Sequence, residues 1–331
     1  MSLANQLDKE VLPYLNGDYF PACENLKALY FQDRAVRSCH LESFAARRFF
    51  GDRDLPTDVG HLIRNGFLQG FTSRMITGSE RVSEYFSRES RIIPELSANP
   101  GTYSMLERVY SLEGVEGPFD RALVFSRSAQ AVRNRLNATI GFLARNLKSM
   151  IRGSEERLLV INLGAGTARD TTEVSRISGL IERNVKFDNV DLDPGAVEEG
   201  RRIARKAGVA NAEFLEANMF GLRTRYRKSG DLGILNGFLC GLPYEEAVRT
   251  LRVVKGYFRP GARVIAALLT DRMLIHDAWL CYVLREYAGW ELLHRERGLV
   301  RSMFEEAGYK WGGMFHDEPT RFYDIGIGIV P

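Results

Sequence analysis

Two textures of apolar and polar positions divide the chain near residue 150. Upstream, apolar residues recur three and four apart in LDKEVLPYL, SCHLESFAARRFF, DVGHLIRNGFLQGF and SERVSEYFSRESRIIPEL. That spacing predicts amphipathic helices. Turn signals at Asn16-Gly17-Asp18, Gly51-Asp52 and Asn99-Pro100-Gly101 separate them. A further helix is predicted from Ser128 to Met150, with Val132, Leu136, Ile140, Leu143 and Leu147 on one apolar stripe. Downstream, short apolar runs alternate with helical patterns. The predicted strands are LLVINL (158–163), KFDNVDL (186–192), AEFLEA (212–217), LGILNG (232–237) and ARVIAALL (262–269). The predicted helices between them run from Thr171 to Arg183, Gly195 to Lys206 and Glu245 to Phe258. Strands separated by helices imply a parallel sheet covered on both faces. The end differs: GYKWGGMFHD and RFYDIGIGIV are separated only by Glu318-Pro319-Thr320. So short a link cannot hold a crossover helix, so the last two strands are expected to pair antiparallel.

The 331 residues suffice for one large α/β domain with an added module, or for two modest domains. No apolar run approaches the roughly 18–20 residues that a membrane span requires. The opening MSLANQLDKEVLPYL lacks the pattern of a secretory signal, so a cytoplasmic protein is expected. Lys and Arg number 45 against 42 Asp and Glu, a net charge of +3. That balance gives no nucleic-acid footprint. Cys23, Cys39, Cys240 and Cys281 form no CxxC pair and read as free thiols. Of the 5 histidines, His40, His61 and His276 show no metal-ligand spacing, so no metal is expected.

The stretch LLVINLGAGTARD (158–170) carries the main chemical signal. A strand feeding a glycine turn and then a helix presents free backbone N–H groups to an anion or nucleotide. A dinucleotide fingerprint needs a third glycine at position 169, where this chain has Arg169. A triphosphate loop needs Gly-Lys-Ser/Thr, which is absent. The remaining reading is S-adenosylmethionine, whose amino-acid end needs close backbone approach but carries no phosphate.

Asn162-Leu163-Gly164-Ala165-Gly166-Thr167-Ala168 resembles the first motif of the class I S-adenosylmethionine-dependent methyltransferases, with Asn162 in place of the acid and Ala168 in place of the last glycine. The order of later segments is similar too: Val190-Asp191-Leu192-Asp193-Pro194, then FLEANMF, then Asp231 to Leu269 with Leu-Pro and Pro260-Gly261, the latter supplying the turn into the fifth strand. The resemblance implies a Rossmann-like α/β fold, with a seven-stranded sheet closed by a C-terminal antiparallel hairpin. It implies cofactor contacts from Asn162, Gly164, Ala165, Gly166, Asp191, Leu192, Asn218, Met219 and Asn236. Asp191 would hold the ribose, whose two hydroxyls an acceptor-only carboxylate suits. Asp193 would cap the next helix, with Pro194 in its first turn. Asn218 would meet the adenine amino group, with Met219 or Phe220 against the ring. Residues 126–331 are then the cofactor-binding domain. Residues 1–125 form a helical domain that caps the site and selects the acceptor; its alternative is a dimer interface, so a homodimer stays open.

Fold does not fix the acceptor. Asn236-Gly237-Phe238-Leu239 departs from the Asn/Asp-Pro-Pro-aromatic sequence of amino-directed nucleic-acid enzymes. Cys240-Gly241 stands where many small-molecule members place a histidine base. AVRNR (131–135), LPYEEAVR and WELLHR resemble bacterial enzymes that make methyl esters of 3-hydroxy fatty acids, a likeness spanning roughly residues 120–310. It is compatible with a carboxylate acceptor, and a small-molecule carboxylate or hydroxyl is expected. Arg295 and Arg133 are the candidates for orienting a carboxylate through paired hydrogen bonds. His276, near Asp271 just after the fifth strand, would serve as base for a hydroxyl or carbon acid, and Trp279 and Tyr282 could line the pocket. C-methylation of an acidic keto compound and a non-catalytic, regulatory relative of the fold remain as alternatives.

Overall fold

β1 (Leu158–Leu163) is buried everywhere except at half-buried Leu159, and β4 (Gly230–Leu235) is buried throughout. Runs with no polar face can be placed only between two covering layers. They form the middle of a seven-stranded sheet of order β3-β2-β1-β4-β5-β7-β6. The computed structural model describes residues 90–111, 115, 120, 123–124, 126–153, 156–273, 277, 280–281, 284, 288–290 and 292–331. The four helical segments expected upstream of residue 90 lie outside them, except for the end of the last.

The chain divides into two compact units. The larger runs over Asn134–Leu269 and Arg297–Pro331. In it β1 pairs parallel with β2 (Val185–Asp191) and with β4, β2 with β3 (Ala212–Glu216), and β4 with β5 (Phe258–Leu269). The helices between them are α4 (Arg169–Arg176), α5 (Gly179–Asn184), α6 (Pro194–Lys206), α7 (Arg223–Tyr226) and α8 (Tyr244–Val254). After α9 (Leu299–Glu306), β6 (Lys310–His316) and β7 (Tyr323–Ile329) form the predicted antiparallel hairpin. β7 also lies antiparallel to β5, with Leu269 opposite Tyr323. The turn between β6 and β7 therefore sits at the carboxyl edge of the parallel strands. The chain passes outward from β1 through β2 and β3 and returns to β4, so strand order reverses between β1 and β4. A crevice forms at such a switch point.

The core fills the layer between β1, β4 and β5 and the helices α8 and α9. Ile161, Leu235, Val264 and Ala266 pack there with Ala247, Val248, Leu251, Val300, Met303 and Phe304. Each large side chain so buried contributes roughly 1.5–3 kcal/mol. Polar pins fix the register. Asp231 accepts the Leu159 amide at 2.6 Å and pairs with Arg259 at 2.5 Å. Asp188 takes the Tyr226 hydroxyl at 2.9 Å and the Lys186 ammonium at 3.0 Å.

Three boundaries differ from the pattern-based expectation. The helix expected over Thr171 to Arg183 is two helices, broken where Ser178 turns extended at φ −147°. Ser178 and Gly179 are weak helix formers. The strand expected to reach Gly237 ends at Leu235, because Gly237 adopts φ 92°. β5 starts at Phe258, so Pro260-Gly261 lie within the strand, where its register with β4 shifts. A bulge absorbs the residues that the pattern assigned to a turn.

The other unit contains the described residues up to Arg133 together with Thr270–Glu296. Its helices are α1 (Ile92–Ala98), α2 (Tyr103–Ser111) and the start of α3 (Arg127–Arg152). Buried Asp120 caps α1, accepting the Arg91 amide at 3.0 Å and the Ser90 hydroxyl at 2.5 Å. Asp277 does the same for α3, accepting the Ser128 amide at 2.7 Å. Among the described residues no helix is long and apolar enough to cross a membrane.

α9 packs on β7 without clearance, since a methyl group on Gly328 would collide with the Phe304 ring. Gly328→Ala is therefore expected to destabilise the protein by about 1–3 kcal/mol, read as a lower denaturant midpoint at unchanged slope.

Candidate functional site

The turn after β1 is left-handed at three residues: Gly164 (φ 61°), Gly166 (φ 54°) and Ala168 (φ 53°). Glycine takes this conformation without steric cost. The space that a side chain on Gly166 would fill is open, with no atom within 4 Å. The neighbouring strand ties the turn down. Asp191, at the end of β2, accepts the Gly166 amide through Oδ2 at 2.7 Å and the Asp193 amide through Oδ1 at 3.0 Å. The Ala165 amide donates to the Val190 carbonyl at 3.0 Å. Asp191 stays half-buried. Asp193 caps α6, accepting the Gly195 amide at 2.8 Å with Pro194 next in the chain. Asp193 starts the helix, as the sequence led us to expect, and Asp191 fastens the turn. α6 comes close to the turn at Gly200, where a Cβ would lie 3.1 Å from the Thr167 carbonyl oxygen.

Apolar side chains stand around this turn. Leu192 is 69% exposed and Phe220 46%, unusual for side chains of their size. Met219 is buried, and its Cε would lie 3.4 Å from a Cβ on Gly164; the Phe238 Cβ would lie at 3.3 Å. Phe220 and Phe238 meet edge to face, with ring centroids 6.5 Å apart. Asn218 starts the short 3₁₀ turn Met219–Gly221 by accepting the Phe220 amide at 3.0 Å.

Behind the turn lies a polar layer. The predicted apolar stripe of α3 is fully buried only at Leu143 and Leu147; Val132, Leu136 and Ile140 are half-buried. The side that faces inward in the larger unit carries Asn134, Arg135, Thr139 and Phe142 instead. Thr139 accepts the Asn236 side-chain amide at 2.9 Å, which anchors the end of β4. Asn134 donates to Thr320 at 2.9 Å, in the β6–β7 turn. The Arg135 guanidinium carbon lies 4.6 Å from the centre of the Tyr323 ring, a cation–π contact. Its terminal nitrogens lie 3.5 Å from where a Cβ on Gly237 would be. Arg135 is thus a buried cation at the carboxyl ends of β4 and β5. Asp170, in the first turn of α4, is buried beside Asn162 and accepts its Nδ2 at 3.0 Å. Burial raises the Asp170 pKa, opposed by hydrogen bonds from the Thr171 amide, Asn236 and Asn162 and by the charge of Arg135.

The structure brings Asn162, Gly164, Ala165, Gly166, Asp191, Leu192, Asn218, Met219 and Asn236 to the carboxyl edge of one sheet. Arg133 belongs to the other unit, where its Nη1 donates to the Val109 and Val124 carbonyls at 3.1 and 2.9 Å. Burial lowers its pKa to about 10. Arg295, buried in the same unit, forms a backbone β-bridge with Thr270, and its main-chain carbonyl accepts the Asp271 amide at 3.0 Å. His276, Trp279 and Tyr282 lie outside the described residues. Among the described residues no three His, Cys, Asp or Glu side chains gather as a metal ion would require. Sequence reasoning missed Asp170, Arg135 and Thr139. For Arg135 and Thr139 the signal was present as two polar residues four apart within a helix read for its apolar residues alone.

No protein-family model matches the chain, and no curated protein matches it. Among solved structures, one from Bordetella parapertussis, described as a possible exported protein, superposes with a TM-score of 0.60 at 17% identity, covering 90% of this chain and 97% of that one. The magnesium protoporphyrin IX methyltransferase of Synechocystis PCC 6803, crystallised with S-adenosylhomocysteine, gives 0.51 at 15% identity over 76% of this chain and 99% of its own. The same enzyme with S-adenosylmethionine gives 0.50 at 13% identity. At these identities the likeness is one of fold, that of the class I methyltransferases.

Ala168 occupies a backbone state that costs an L-residue roughly 1–2 kcal/mol. Its buried methyl group packs with Val197 and Phe214, which returns about 0.8 kcal/mol. The terms largely cancel, so Ala168→Gly is expected to change unfolding free energy by less than about 1 kcal/mol. Thermal and denaturant unfolding of the variant check this.

Proposed function

We propose that the chain is a methyltransferase that uses S-adenosylmethionine and acts on a small-molecule acceptor, with a carboxylate favoured over a hydroxyl. The observation that carries this reading is the half-buried Asp191 carboxylate, fastened to the Gly166 amide beside an open glycine turn. An ionised carboxylate keeps acceptor capacity for two vicinal hydroxyls even after taking two amides. Leu192, Met219 and Phe220 offer apolar surface to a purine, and Asn218 keeps a lone pair for its amino group. Gly164 and Gly166 let the backbone approach an amino-acid chain closely. Each group that a sulfonium nucleoside needs has a partner of suitable chemistry here.

When bound, the cofactor supplies an electrophilic methyl group on a sulfonium. The residues around it have little acid–base work to do, because a carboxylate is ionised at neutral pH. Their task is alignment, holding the acceptor in line with the methyl and away from water. Arg135 supports an anionic acceptor: its guanidinium lies over Gly237 and on Tyr323, at the sheet edge where the methyl would be presented. Its positive charge attracts a carboxylate. Arg135 takes the place of Arg133 in this reading, since the Nη1 of Arg133 is spent on two main-chain carbonyls. Arg295 is retained as a second candidate. For a hydroxyl acceptor, His276 is the base to test first.

Two measurements check the proposal. Calorimetry should detect binding of S-adenosylhomocysteine, and Asp191→Ala should weaken it by about 1–3 kcal/mol, the value of a charge-assisted hydrogen bond. Methyl-labelled S-adenosylmethionine incubated with the protein and a metabolite extract should label a product that mild alkali cleaves to volatile methanol, as a methyl ester requires. Alkali-stable label would exclude the carboxylate while leaving methyl transfer intact; absence of both binding and label would remove the whole reading.

A further inference from the structure

Asn162 stands at the end of β1, where a neutral amide faces the space against which the cofactor's amino-acid end would lie. An ammonium group there calls for acceptors and negative charge, and Asn162 alone supplies only a dipole. Its surroundings change that. The Asn162 Nδ2 donates to Asp170 Oδ1 at 3.0 Å and faces Asn189 Oδ1 at 3.4 Å. Asn189 is itself fixed: its Nδ2 donates to the Glu213 carbonyl at 3.3 Å, and its Oδ1 takes the Thr171 hydroxyl at 2.9 Å. Both neighbours of the Asn162 amide nitrogen are therefore acceptors, so the amide has only one orientation that satisfies the network. Nδ2 points into the protein, and among the described residues Oδ1 receives no hydrogen bond. Behind the amide stands a carboxylate buried to 7% exposure, an expensive arrangement for a side chain that merely opens a helix.

We infer that Asp170 is a positioning residue which, through Asn162, performs the task of an acid at the end of β1: it fixes Asn162 Oδ1 toward the ligand's ammonium group and places a negative charge behind it. The inference rests on the function proposed above and names the group that recognises the cofactor's amino-acid end. The charged group facing Asp170 from the elements packed around it is Arg135 of α3; Asn162 at the end of β1 and Asn236 after β4 are neutral. Arg135 limits the cost of holding Asp170 ionised.

The test compares S-adenosylhomocysteine with 5′-methylthioadenosine, the same nucleoside without the amino-acid end. Calorimetry on the wild type should show the first binding more tightly. Asp170→Asn should weaken S-adenosylhomocysteine about tenfold or more, as expected for loss of a charge-assisted contact, and leave 5′-methylthioadenosine unchanged. The double exchange Asn162→Asp with Asp170→Asn moves the charge to the strand and keeps the hydrogen bond reversed, so it should restore the preference. Equal weakening of both ligands by Asp170→Asn would reveal a structural role and overturn the inference, as would no weakening at all. If Asp170→Asn does not fold, the exchange decides: a folded protein with the preference supports the inference, and one without it, or no folded protein, overturns it. A wild type that binds neither ligand would remove the function proposed above and this inference with it.

Discussion

The hydrogen bond from the Gly166 amide to the Asp191 carboxylate joins the turn after β1 to the end of β2. It sets the path of the backbone at the point where strand order reverses. A turn of left-handed residues has few internal hydrogen bonds to define it, so its shape comes from outside. Asp191 supplies that definition with a charged acceptor and remains half-buried, which keeps part of its capacity for a ligand. The fold and the site meet in this one carboxylate.

A second constraint comes from α3, which precedes the sheet in the chain. Its inward side in the larger unit is polar over its first turns, and Asn134, Arg135 and Thr139 reach the β6–β7 turn, the start of β7 and the end of β4. These contacts join segments far apart in sequence along one edge of the sheet. Burying so many polar groups is tolerable only when they satisfy one another. The network made by Asp170, Asn162, Asn189 and Thr171 meets that condition except at Asn162 Oδ1, through side chains whose donors and acceptors alternate.

Much of the fold was legible because strand and helix periods differ sharply. LLVINL and ARVIAALL could be little else than buried strands, and the three-residue link at Glu318-Pro319-Thr320 left no room for a helix. The glycine turn and the two aspartates after β2 were readable for a similar reason: each has a local chemical job that constrains residue type. What the pattern hid was tertiary. The break at Ser178-Gly179 and the bulge at Pro260-Gly261 depend on how neighbouring elements pack. Arg135 looked like any surface arginine on an amphipathic helix, and Asp170 like an ordinary acid at a helix start. Their burial follows from what covers them, which no local window contains.

The placement of β7 has a bearing on how the chain is made. β5 is buried along Val264 to Leu269, yet its partner on one side is β7, which is synthesised after it with α9 and β6 in between. Until those residues emerge, the nascent sheet carries a long apolar strand with an unsatisfied row of amides and carbonyls. Such a margin invites pairing with other chains. Biosynthesis of this protein thus contains an interval in which that margin stands open, and slow translation between β5 and β7 would lengthen the exposure.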